Sequence, residues 1–333
     1  MEKVNFREIA KELNISHMTL YRVINKAPNV RAVTRNRVID ALNRHGYHSS
    51  SLVGEQTVLF DLDANAKSNY MRNIVSGIMK RLSSQSFRCM ITYHGMDRYR
   101  FLMECRKADI VVFAPMNGDE IYREVKEVNP DILVLNLLDD MTGDIVINTN
   151  DFLGGELAAR HLLERGHCEH VLMVHHIAEN GFQHSFRTRC KSFLAEMLIS
   201  NPKCRIDILE MSLTEPEKYY RDFARIFRKG KSHPTAIFCP GRFFADQITE
   251  FCKRKGISIP DDVSLIGFDK PKDSESPVYD RIVFNPEQII NWAEYFITTR
   301  PVIKSDSPFH LLLDMALEDH KTTQIIQRKG NRS

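Results

Sequence analysis

Two groups of residues could do chemistry. One lies mid-chain, where His167-Cys168-Glu169-His170 and His175-His176 offer imidazole, thiol and carboxylate groups close together. His175 and His176 fall in an apolar run that reads as a strand. Neighbouring side chains of a strand point to opposite faces, which keeps the two imidazoles from sharing a metal. The seven cysteines are odd in number and scattered, without a C-x-x-C pair, as reduced and mostly buried thiols would be. No G-x-G-x-x-G, Walker loop or G-x-S-x-G elbow occurs, so neither a phosphate cradle nor an activated nucleophile is signalled. The other group is the N-terminal head. Residues 1–50 hold nine Lys+Arg against four Asp+Glu, and the remainder holds 37 against 39. A small basic head on a slightly acidic body suits a polyanionic partner for the head alone.

The elements that must position these residues follow from periodicity. Between Asn5 and Gly46 apolar residues recur at helical spacing in three blocks: Phe6, Ile9, Ala10 and Leu13; Leu20, Val23 and Ile24; Val33, Val38, Ile39, Ala41 and Leu42. Three short helices are expected. Asn14 suits a left-handed turn between the first two, Ser16 is a good N-cap for the second, and Thr34 for the third. Residues 48–57 are polar and small, a linker. Beyond it strand-like runs (58–62, 89–93, 110–114, 132–137, 145–148, 171–175, 206–211, 236–239, 264–268) alternate with helical ones (70–85, 98–107, 120–128, 153–165, 185–198, 216–228, 245–255). Repeated βα units with β-branched strands imply parallel sheets covered on both faces, and 333 residues accommodate two. The apolar runs fall short of a membrane span of about 20 residues. The N-terminus shows no export signal, so a cytoplasmic protein is expected.

The stretch VNFREIAKELNISHMTLYRVINKAPNVRAVTRNRVIDALNRHGY strongly resembles the DNA-binding head of the LacI/GalR family of transcription regulators, through Ile9-Ala10, Ile15-Ser16, Thr19, Arg22-Val23-Ile24-Asn25, Val30, Thr34-Arg35, Arg37-Val38 and Gly46-Tyr47. The resemblance implies a helix-turn-helix whose second helix lies in the major groove. His17, Met18 and Arg22 would then read base edges, Arg22 with the fork of donors that fits guanine O6 and N7. Ser16, Thr19 and Asn25 suit phosphate contacts that set register, and Tyr47 either does the same or closes the small core. One departure follows at once: only ten residues separate Tyr47 from the strand expected at Val58, too few for the family's hinge helix. Leu52 is the one candidate for the minor-groove wedge.

The likeness continues through Ala108-Asp109-Ile110-Val111, Asn148-Thr149-Asn150-Asp151-Phe152-Leu153-Gly154-Gly155, Pro234-Thr235-Ala236-Ile237-Phe238-Cys239 and Gly256 to Asp269. It implies two periplasmic-binding-protein-like lobes with an effector between them. Effector contacts carried over by the resemblance are Tyr70, Met71, Phe152, Ser185, Arg189 and Asp269. Where the family commonly has Asn-Asp, this chain has Gly241-Arg242. Arg242 with Arg189 favours a carboxylate or phosphate ligand; alternatively Arg242 pairs with Asp269 and fills the cleft. His167 belongs to the family's Gly-His junction, so no metal and no cofactor is expected.

The expected fold is therefore α/β: an all-α helix-turn-helix head (1–47), a short atypical linker (48–57) and a two-lobed core of doubly wound parallel sheets (58–333). The N-lobe is expected at about 58–150 plus 284–307, and the C-lobe at about 151–283 plus 308–333. Expected partners are a pseudo-palindromic double-stranded DNA operator, a second copy of the chain, and a sugar, phosphosugar or carboxylate effector, with no membrane. Two other readings stay open: a closed cleft controlled by a protein partner, and an enzyme on a sugar-binding core, which leaves the head unexplained.

Overall fold

The computed structural model describes residues 5–24, 30–45, 56–63, 69–85, 87–94, 97–114, 119–138, 143–177, 183–212, 215–228, 232–269, 278–301 and 308–326. The head is three helices, α1 (Phe6–Glu12), α2 (His17–Ile24) and α3 (Ala32–Arg44). The Asn5 side chain accepts the Arg7 N–H and starts α1. Asn14 takes the left-handed conformation at φ 54°, which its short polar side chain tolerates. Ser16 Oγ then accepts the Thr19 N–H at 3.0 Å, capping α2. The third helix corrects one expectation. It begins at Ala32, with Arg31 O accepting the Arg35 N–H, so Thr34 sits inside the first turn rather than capping it. Ile9, Ala10, Leu13, Leu20, Val23, Val38, Ala41 and Leu42 form the head's own core.

The chain then alternates: β1 (Gln56–Asp63), α4 (Asn69–Leu82), β2 (Phe87–His94), α5 (Arg98–Cys105), β3 (Ile110–Ala114), α6 (Asp119–Val128), β4 (Leu133–Leu137), β5 (Ile145–Thr149), α7 (Asp151–Glu164), β6 (His170–His176), α8 (Gln183–Ser200) and β7 (Arg205–Met211). A 3-10 turn (Pro216–Tyr219) and α9 (Tyr220–Ile226) replace the single helix expected over 216–228. After them come β8 (Ala236–Phe238), α10 (Arg242–Lys255), β9 (Ser264–Phe268), β10 (Asp280–Val283), α11 (Pro286–Thr299), β11 (Phe309–Leu313) and β12 (Ala316–Glu318). The first strand starts at Gln56, so the last two residues of the expected linker belong to the sheet.

Contacts divide the chain into two units, Met1–Asn148 with Pro286–Leu311, and Thr149–Asn285 with Leu312–Ser333. The first unit's return segment runs to Leu311 rather than 307, because β11 joins the first sheet beside β5. The sheets have equivalent orders, β11-β5-β4-β3-β1-β2 and β12-β10-β9-β8-β6-β7. In each the chain winds outward both ways from its first strand, with a switch point between β1 and β3, and between β6 and β8. Open α/β sheets bind ligands at strand carboxyl ends near such points. The inner strands β3, β5 and β9 are buried at every residue, as parallel strands covered on both faces must be. The second sheet is not wholly parallel, since β12 pairs antiparallel with β10.

Candidate nucleic-acid interface and ligand-binding wall

Helix α2 is divided along its length. Leu20 and Val23 are buried, whereas Ser16, His17, Met18, Tyr21 and Arg22 are exposed. Ser16 also holds the Thr19 hydroxyl at 2.8 Å, leaving these two short polar side chains at the N-terminal end of the helix, where backbone N–H groups and the helix dipole favour an anion. Met18 is 66% exposed, far beyond what a packing role requires. The residues expected to read bases thus lie on one open face, rigidly joined to the core by the same helix. Tyr21, which sequence reasoning passed over, lies on that face too; its i,i+4 relation to His17 was the available signal. Asn25, Tyr47 and Leu52 lie outside the described residues.

The second candidate site is the carboxyl end of the second sheet. Arg189 projects from α8 and is buried. Its Nε donates to Asp151 Oδ1 at 2.7 Å, its Nη1 donates to the Pro240 carbonyl at 2.9 Å, and the guanidinium lies 4.3 Å from the centre of the Phe268 ring. Asp269, the residue after β9, lies 3.8 Å from Arg189 Nη1 and keeps 38% of its side chain exposed. Its backbone is left-handed at φ 67°, a conformation that aspartate tolerates better than most non-glycine residues. Burial raises the Asp269 carboxyl against the pull of Arg189; Asp151 adds to the rise and Arg242 opposes it. Burial alone would lower Arg189, but Asp151 and Asp269 hold it raised, so it stays charged.

The two guanidiniums expected here are accompanied by two carboxylates. Asp151 and Asp269 balance Arg189 and Arg242, and Arg189 is already committed. Arg242 opens α10 behind the extended Gly241, is half-buried, and makes no ion pair within 4.0 Å among the described residues. It does act on Asp269, whose carboxylate accepts the Arg242 backbone N–H and feels its charge. Phe152, in the first turn of α7 next to Asp151, is 57% exposed, and half-buried Ser185 lies one turn before Arg189 on α8. These residues share one end of the second unit. Tyr70 and Met71, half-buried, belong to α4 of the first unit. Asp151 is the contact that sequence reasoning missed, although it stood in the Asn148–Asp151 motif.

The histidine motif is occupied structurally. His170 Nε2 lies 3.0 Å from Asp207 Oδ2. His167 is buried between the Thr235 hydroxyl at 3.0 Å and the Gln324 carbonyl at 2.9 Å. Burial, opposed by the hydrogen bond to Gln324, pushes its pKa down to about 4, so the ring is neutral. A neutral ring that meets a carbonyl must donate from Nε2 and accept the Thr235 hydroxyl at Nδ1. Among the described residues no helix is long and apolar enough to cross a membrane.

Comparison with known proteins agrees with this geometry. Residues 5–50 match the model for bacterial regulatory proteins of the lacI family, and residues 159–278 match that for a periplasmic binding protein-like domain. The chain is 24% identical to the HTH-type transcriptional regulator DegA of Bacillus subtilis over 282 residues, covering 80% of this chain and 82% of DegA. It is also 24% identical to the HTH-type transcriptional repressor PurR of Yersinia pestis over 319 residues, covering 91% and 92%. Among solved structures, the lac repressor dimer bound to operator and the anti-inducer ONPF superposes with a TM-score of 0.62 at 18% identity, over 97% of this chain and all of that one. A lacI-type helix-turn-helix head followed by a periplasmic-binding-protein-like core places the chain in the LacI/GalR family of DNA-binding transcriptional regulators.

Proposed function

We propose that the protein is a repressor that binds a pseudo-palindromic operator as a homodimer, with one α2 in the major groove of each half-site, and that a small ligand on the second unit modulates it. The observation that carries the reading is the split of α2: apolar residues locked into the head's core, and His17, Met18 and Arg22 on one exposed face. A single head covers one half-site, and two-fold dimers match two-fold operators. Ser16 and Thr19, with Asn25 and Tyr47, set register on phosphates. Leu52 is the one candidate for a minor-groove wedge. The test is a footprint of the full chain: Arg22→Ala should lose the protected operator, and equal protection by wild type and variant would refute the assignment of α2. Affinity should also fall steeply with salt as counterions are released.

For the ligand, the charge balance supports a molecule that combines hydroxyls with one acidic group. Asp269, held by Arg189, accepts from hydroxyls, and Arg242 takes a carboxylate or phosphate. Phe152 and Ser185 complete the second unit's contacts carried over from the family. A thermal-shift screen discriminates the readings, because a ligand that binds only the folded state raises the melting temperature. Sugar acids or phosphosugars should stabilise the wild type and not Arg242→Asp. Stabilisation by neutral sugars alone would refute the acidic ligand, and no hit of either kind would favour control by a protein partner.

A further inference from the structure

The open face of α2 has a residue at its centre that the family reading does not use. At about 100° per residue, Tyr21 falls about 40° from His17 and about 60° from Met18, with Arg22 at the far edge of the same arc. Leu20 and Val23 lie on the opposite side and are buried. Any docking that turns His17, Met18 and Arg22 toward base edges turns Tyr21 toward them as well. The Tyr21 ring is 43% exposed and braced on two sides: edge-on to Phe6 of α1 at 6.4 Å between centroids, and tilted against His17 at 5.0 Å. A side chain held this way gives up little freedom on binding, and it presents an apolar ring face beside the exposed thioether of Met18.

Building on the DNA-binding reading, we propose that Tyr21 is a specificity-determining residue that packs, with Met18, against thymine methyl groups in the major groove. The chemistry is specific. In the major groove only thymine presents a 5-methyl group, and apolar contact is how side chains detect it. A phenol ring flanked by a thioether forms an apolar patch between two polar readers, His17 on one side and Arg22 on the other. The expected half-site therefore carries thymine beside the base pair that Arg22 reads. His17, whose ring rests on Tyr21, takes its orientation from it.

The experiment uses the full-length protein and an operator selected from a randomised pool. Each thymine of one half-site is replaced in turn by deoxyuridine, which deletes only the methyl group, and dissociation constants are measured for wild type, Tyr21→Phe, Tyr21→Ala and Arg22→Ala. Wild type should lose about 4-fold for at least one thymine, the equivalent of one buried methyl. Tyr21→Phe keeps the ring and its brace and should retain that penalty; Tyr21→Ala should abolish it. The proposal is overturned if Tyr21→Ala keeps the wild-type uracil penalty at every thymine, or if it weakens all sequences equally, as a phosphate contact would. Arg22→Ala separates the two levels of inference. If it still selects the wild-type operator, the placement of α2 is wrong. If it loses specificity while Tyr21→Ala retains every penalty, the placement stands and only the role of Tyr21 fails.

Discussion

Replacing Arg189 by methionine separates a structural role from a ligand-binding one. Methionine keeps much of the length of the side chain and its contact with Phe268, but it removes the partner of Asp151, which is 5% exposed and otherwise bonded to the Thr149 hydroxyl at 3.1 Å. Removing one member of a buried ion pair costs about 3–5 kcal/mol, because the other charge is left without compensation in a poorly solvated site. The Pro240 carbonyl loses its donor as well. For a folding unit of this size, about 2–4 °C of melting temperature per kcal/mol translates this into a loss of about 6–20 °C, measured on ligand-free protein by differential scanning calorimetry. The double variant Arg189→Met with Asp151→Leu removes both charges and should recover most of the loss. A single variant that melts within about 2 °C of wild type would refute the argument and return Arg189 to the ligand.

Acid should weaken the second unit in a defined window. His167 titrates at about 4 in the fold and near 6.5 when unfolded, so the unfolded chain takes the proton first. This contribution is complete above about pH 6.5 and is lost as pH falls toward 4, up to about 3 kcal/mol. His167→Gln should flatten that part of a urea-midpoint profile. At Asp280 burial raises the carboxyl, but hydrogen bonds from His161 and from the Thr322 and His320 N–H groups hold it well below its usual value. Its contribution is therefore lost only at still lower pH. Gly155→Ala should destabilise by about 1–3 kcal/mol, read as a lower melting temperature, since a Cβ there meets Ser192 Oγ and the Arg189 carbonyl where α7 crosses α8. Ser16→Ala should cost about 1 kcal/mol of helix stability, read as faster amide exchange along α2.

What the sequence made legible, and what it hid, follows from the range of the interactions. The largely apolar runs at 110–114 and 264–268 coincide with β3 and β9, because a strand buried on both faces needs no alternation and carries its signal in composition alone. The Asn14 turn and the Ser16 cap were also legible, being decided within four residues. Helix starts without a capping side chain were not. The helix α10 begins at Arg242 behind Gly241 with no side-chain cap, three residues before the apolar pattern becomes clear. Thr34 misled in the opposite sense, as an available cap inside a helix that starts earlier. The site was half legible. Arg189 and Asp269 stood in recognisable motifs, but the Arg189–Asp151 pair joins residues 38 positions apart, and no local pattern predicts it.

The Gly241-Arg242 departure changes more than charge. A Cβ at Gly241 would come within 2.7 Å of the Phe186 ring, so the ring lies over this backbone only because the side chain is missing. Phe186 in turn meets Phe244 edge-on at 5.5 Å and His176 at 5.5 Å. In place of a polar pair suited to hydroxyls, this strand end therefore has aromatic rings over its backbone, with the Arg189 guanidinium already bound to its Pro240 carbonyl and Arg242 following it. Such a surface gives a neutral sugar fewer partners than the polar pair would, and any of its hydroxyls buried against the rings would lose hydrogen bonds to water without replacement. In the complex proposed above, an acidic group on Arg242 would offset that cost, since a charge-assisted bond is about twice as strong as a neutral one. On the proposed acidic-ligand reading, Gly241, which admits the Phe186 ring, and Arg242, which would meet the acid, are consecutive, so this one local departure in sequence would alter both terms of the selectivity in the same direction.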